Sequence, residues 1–155
     1  MTDIPATELP RRLSALPPAE VQGLADALGR EHTVQDVVLP QSGLGLLKLR
    51  DGALHDAYYL GEVPLARAQV IVRAGTGREA EGGALILDDR AQQARSFAIL
   101  DAVYRAGLPG CERVRDLLAR GGAALVREER DRRSLAAATK VDFALLSSSL
   151  EEEDE

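Results

Sequence analysis

The chain has 155 residues, 45% hydrophobic but only 3% aromatic, with no Trp and a formal charge of −6. Residues 151–155 are all acidic, so the remainder carries no cationic excess and few rings on which bases stack, which excludes a general nucleic-acid binder. A single cysteine, Cys111, excludes an internal disulfide, and no apolar run is long enough to span a membrane.

The first residues lack the basic and apolar regions of a signal peptide, so a cytoplasmic, reducing location is expected. The length suits one domain. We expect an α+β domain over residues 1–146, opened by a helical segment at 1–30 and followed by a disordered acidic tail at 147–155.

Residues 1–30 predict two short helices divided at Pro17-Pro18, because Pro is at home in a first turn. In the second helix Val21, Leu24, Ala25 and Leu28 recur at helical spacing, and Gly29 is expected to cap it. Helices this short need a surface to pack on.

Residues 33–87 predict strands. Apolar runs occur at 33–39, 44–50, 53–60, 68–74 and 83–87, with turn signals at Asp51-Gly52 and at Gly75-Thr76-Gly77, the second loop running to about Glu81. Four to five strands joined by short turns imply an antiparallel meander.

Asp88-Asp89 is expected to cap a helix over 90–106. That helix is apolar on most sides, so it is buried widely or meets a second protein. Asp101 and Arg105 form an i,i+4 pair within it, which reads either as a self-satisfied ion pair or as Asp101 placed at an interface. A short helix over 112–119, a break at Gly121-Gly122 and a helix over 124–138 follow, and residues 139–143 are expected to extend. The arginines between Arg113 and Arg133 alternate with acids and read as a solvated helix face. Strands grouped before helices argue for α+β, with helices mainly on one face of an antiparallel sheet.

Few residues carry a chemical signature. His32 and His55 are far apart in sequence and sit in no ligand pattern, so no metal site is expected. Gly43-Leu44-Gly45 and Gly75-Thr76-Gly77 match neither a dinucleotide fingerprint nor a Walker loop, although Gly75-Thr76-Gly77-Arg78 can offer donors to an anion. The pairs Asp88-Asp89 and Glu128-Glu129 are accounted for by capping and solvation. Cys111 reads as a structural thiol.

Four stretches nevertheless resemble the PhnG subunit family of the carbon–phosphorus lyase machinery. Ser42-Gly43-Leu44 opens a strand, similar to that family's Glu-Thr-Gly-Leu. Leu60-Gly61-Glu62 leads to Leu65-Ala66-Arg67-Ala68, similar to its Leu-Gly-Glu followed by Thr-Arg-Cys. Gly83-Ala84-Leu85-Ile86-Leu87 runs through Arg90 and Ala94 to Leu100-Asp101-Ala102. Ala138-Thr139-Lys140-Val141-Asp142-Phe143 is similar to its Ala-Thr-Arg-Val-Asp-Phe. The sequence departs from the family at 50–55, at 88–95 and at 144–148.

The resemblance implies an accessory subunit of the alpha-D-ribose 1-methylphosphonate 5-triphosphate synthase of phosphonate utilisation, a multisubunit transferase working on ATP and methylphosphonate. It implies PhnH-, PhnI- and PhnJ-type partners, an iron–sulfur cluster elsewhere in the wider system, and no catalytic residue, cofactor or metal on this chain. The residues it points to are interface residues: Gly61, Glu62, Arg67, Asp101, Thr139, Lys140, Val141, Asp142 and Phe143. Within the chain, Glu62–Arg67 also reads as a local ion pair and Phe143 as core. Two other classes stay open. One is a homodimeric binding module using the helix face 97–104. The other is an independent small hydrolase or transferase in which Glu62, Arg67, His55 or Cys111 converge.

Overall fold

The computed structural model describes residues 4, 5 and 7–138. The expected tail at 147–155 and the expected extended segment at 139–143 lie outside the described residues.

Two helices open the chain, α1 (Glu8–Ser14) and α2 (Pro18–Glu31), with Pro18 in the first turn of the second. The predicted stripe of α2 is the buried one, since Val21, Ala25 and Leu28 are all enclosed. Gly29 does not end the helix. It continues to Glu31, and His32 turns extended as the cap. The Nε2 of His32 meets the Pro109 carbonyl at 2.9 Å, which pins this junction to the loop before the last helix.

Three strands follow, β1 (Thr33–Arg50), β2 (Ala57–Arg73) and β3 (Glu79–Ile86), in one antiparallel sheet of order β1-β2-β3. The expected four or five strands are corrected to three because neighbouring runs fuse. β1 absorbs Pro40, Gly43 and Gly45, and register shifts between Asp36 and Gln41 take up the irregularity. An edge strand tolerates Pro and bulges because one side makes no ladder. β2 absorbs Gly61 and Pro64, and Pro64 lies past the end of β3, where β2 has a single neighbour. The second loop is shorter than expected. Gly77 (φ 82°) closes a turn with its N–H on the Ala74 carbonyl at 2.9 Å, and β3 starts at Glu79.

Helix α3 (Ala91–Arg105) lies on one face of the sheet and touches every other element. All residues from Phe97 to Tyr104 are buried, so the helix that is apolar on most sides spends that surface inside its own chain. Gly82 explains how close it comes. A Cβ there would sit 2.1 Å from the Ala98 carbonyl oxygen and 2.6 Å from the Ala102 nitrogen, so the missing side chain lets helix backbone rest on strand backbone. The cap is not an Asp, because Arg90 holds that position. Asp88 accepts from the Arg90 N–H at 2.8 Å and from its guanidinium, forming a turn ahead of the helix.

Helix α4 (Cys111–Ala138) is a single element of 28 residues, which overturns the expected break at Gly121-Gly122. A Cβ on Gly121 would lie 2.2 Å from the Arg12 carbonyl oxygen. This glycine admits α1 against α4, and packing outweighs its helix-breaking tendency. Buried Leu9, Leu13, Leu117 and Leu118 join α1 and α4 to the core formed by α3 and the inner sheet residues Ala66, Ala68, Val70 and Val72.

Candidate functional site

The sheet is covered only over part of its length. β3 ends where Ile86 pairs with Ala66, yet β1 and β2 continue together from Ser42↔Ala66 to Arg50↔Ala57. At about 3.4 Å per residue this makes a two-stranded ribbon about 30 Å long. No residue from Gln41 to Leu65 is buried. A ribbon of this kind contributes little stability of its own.

Its composition is nevertheless that of a covered surface. Leu44 (69% exposed), Leu46 (61%), Tyr59 (59%) and Leu60 (62%) stand on it, with Tyr58 and Leu54 beside them. Paired residues share a face in an antiparallel ladder. Leu44 and Leu46 therefore lie on the face continuous with Ala66, whereas Leu47 and Leu49 lie on the other. Lys48 reaches over the Tyr59 ring at 5.8 Å from its centroid. The tip is a built turn: the Asp51 carboxylate accepts from Ala53 N–H and Leu54 N–H, each at 2.7 Å, and His55 takes φ 58°. Those N–H donors hold the Asp51 carboxyl below its ordinary pKa.

The ribbon carries three of the expected interface residues. Gly61, at φ 136°, sits at the joint where Leu47 pairs with Gly61 but Lys48 pairs with Tyr59, leaving Leu60 as the extra residue of a bulge. Glu62 stands across from Leu46. Arg67 stands across from Gln41 on one side and Leu85 on the other, at the ribbon's neck. A shallow hollow of about 280 Å³ opens there, lined by Gln41, Ser42, Leu65, Arg67 and Leu85 among others. Glu62 and Arg67 are five residues apart in one strand, so they face opposite sides and form no ion pair.

Asp101 sits elsewhere. It is buried, its Oδ1 2.7 Å from the Arg105 Nε, and its Oδ2 accepts the Gly83 N–H at 3.2 Å. Burial pushes its carboxyl pKa up, against the opposing pull of that N–H and of Arg105. Thr139, Lys140, Val141, Asp142 and Phe143 lie outside the described residues.

The chemical candidates do not converge. His55 is at the ribbon tip, Glu62 and Arg67 face opposite ways, and Cys111 is buried at the start of α4. The thiol lies 3.6 Å from the Tyr104 carbonyl, and neither ring nitrogen of His32 bonds to it. Arg78 turns away from any anion to bond the Ala106 and Gly107 carbonyls that end α3. Gly43 and Gly45 are strand residues. The described residues contain no group of three or more His, Cys, Asp or Glu that could hold a metal ion. No described helix is long and apolar enough to cross a membrane.

The family model described as phosphonate metabolism protein PhnG matches residues 7–147. The chain belongs to the PhnG family. The alpha-D-ribose 1-methylphosphonate 5-triphosphate synthase subunit PhnG of Rhizobium meliloti (strain 1021) is 35% identical over 118 residues, which is 76% of this chain and 72% of that relative. The match to the PhnG family takes in the body, the ribbon and the stretch after α4 alike. Sequence reasoning had no means of finding the ribbon as one object, because its apolar residues read equally well as strands buried in a sheet.

Proposed function

We propose that this chain is an accessory subunit of an alpha-D-ribose 1-methylphosphonate 5-triphosphate synthase, held in that assembly by its ribbon. The observation that supports this most is the ribbon itself: a long apolar arm, with no buried residue, on a chain of the PhnG family. The partners are subunits of the PhnH, PhnI and PhnJ types. Chemistry on ATP and methylphosphonate, and the iron–sulfur cluster of the wider system, belong to those partners, and this chain supplies shape and contacts. Arg67 at the neck offers a bidentate donor to a partner carboxylate. Gly61 sets the bulge that aims the arm, and Glu62 marks its opposite side. Lys140, Asp142 and Phe143 extend the contact beyond α4. Asp101 acts indirectly, through the strand edge it holds.

The test is co-expression of the chain with the PhnH-, PhnI- and PhnJ-type subunits from the same source, followed by size-exclusion chromatography. One particle containing all four, weakened by Arg67→Ala or Asp142→Ala, is the expected result. A chain that elutes alone as a stable monomer or dimer overturns the proposal.

A further inference from the structure

A sheet edge is a row of unpaired N–H and C=O groups, and proteins blunt such edges with Pro, bulges, charges or a covering side chain. This sheet has four stretches of edge, and three carry a Pro, a bulge or a covering side chain. Along β3, the Asp101 carboxylate takes the Gly83 N–H. Along the body half of β1, Pro40 and two register shifts interrupt the strand. Along the ribbon half of β2, Pro64, the Leu60-Gly61 bulge and the exposed Glu62 do the same.

The fourth stretch has none of these, only the charges of Lys48 and Arg50 at its tip end. From Gly43 to Arg50, β1 runs without Pro and without an extra residue, and no strand lies on its far side among the described residues. It is eight residues long, about 27 Å, and it consists of four leucines, two glycines and, toward the tip, Lys48 and Arg50. Four leucines, Leu44, Leu46, Leu47 and Leu49, are distributed over both faces. In a two-stranded ribbon every second N–H of this strand points away from β2.

We propose that this edge is completed by an extended segment of another subunit, which adds a strand beside β1 along residues 43–50. The inference rests on the assembly reading above and specifies its contact. The pairing is β-augmentation: main-chain hydrogen bonds supply affinity, and side chains at alternate positions supply specificity. The segment it fits is apolar at alternate positions, to lie beside the leucines. It carries a carboxylate near the end that faces Lys48 and Arg50, because residues 43–50 contain two cations and no acid. That imbalance disfavours a second copy of this chain, which would bring the same two cations to a strand with no acid of its own.

Hydrogen–deuterium exchange on the full chain, alone and in the four-subunit particle, tests this. The amides of 43–49 that point away from β2 are expected to exchange at least 100-fold more slowly in the particle than in the free chain. Leu46→Lys, which places a charge on the edge, is expected to weaken co-elution at least tenfold. Gln35→Lys, an exposed position at the body end of the same strand, is the control. Circular dichroism of each variant shows whether the body is folded. A particle that forms with these amides still exchanging freely overturns strand addition while leaving the assembly reading intact. The same protection in the isolated chain, rising with its concentration, overturns it in favour of self-pairing. Failure to co-elute at all removes both.

Discussion

Gly82 offers the sharpest check on the packing that holds the body together. Replacing it with Ala places a Cβ 2.1 Å from the Ala98 oxygen, 2.6 Å from the Ala102 nitrogen and 2.8 Å from the Ala102 Cβ. Two of these atoms are helix backbone, so no rotamer change relieves them. α3 must retreat from β3 by about 1 Å, an opening that forfeits a quarter to a half of the attraction across the interface. Overpacking of this kind costs about 1–3 kcal/mol, and backbone contacts put it near the upper limit. In a domain of this size that lowers the melting temperature by about 6–12 °C. The neighbouring Gly83→Ala is the internal control. Its nearest new contact is the Ala68 oxygen at 3.9 Å, an ordinary distance, and its N–H bond to Asp101 survives. It should be neutral, or stabilising by up to about 1 kcal/mol, because Gly weakens a strand. Urea unfolding followed by circular dichroism compares the two. Equal destabilisation by both substitutions refutes the close approach as the reason for Gly82.

Two of the helix glycines should respond in opposite directions. Gly121→Ala meets the Arg12 carbonyl at 2.2 Å and should destabilise, whereas Gly23→Ala, with nothing within 4 Å, should gain about 0.8–1 kcal/mol in thermal unfolding. Asp101 has a folded pKa raised above its ordinary 3.8, so the stability it contributes is fully present below that value and is lost as pH rises through the folded pKa. Asp101→Asn keeps an acceptor for Gly83 and should remove that decline; a constant difference from wild type between pH 3 and 7 in urea midpoints contradicts this. Cys111, with 8% exposure, should resist a thiol reagent until denaturant opens the fold, and rapid labelling of the native chain refutes its burial.

The helices were largely legible in the sequence because apolar periodicity and Pro placement are local. Val21, Ala25 and Leu28 mark the buried side of α2, and the widely apolar surface of α3 matches its contacts with every other element. What was not legible depends on distant partners. Gly121-Gly122 looks like a break until Arg12 lies against it, and Pro40 and Pro64 look like strand ends until each turns out to sit where one side of its strand makes no ladder. The ribbon was the hardest element to foresee. A leucine track such as 44–49 has the same pattern whether its cover lies in its own chain or in another, so pattern alone does not reveal that the body stops at Ala66.

The bulge at Leu60-Gly61 has a mechanical consequence. Everything beyond it hangs from two strands without support from the core, so this joint sets the direction in which the tip points. The arm behaves as a lever whose bearing is Gly61, held at φ 136°, a conformation that side chains other than glycine rarely adopt. A small rotation there sweeps Tyr58, Tyr59 and the tip turn through a much larger arc, while the register near Ala66 stays fixed. Stability and aim are thus written on separate stretches of the chain.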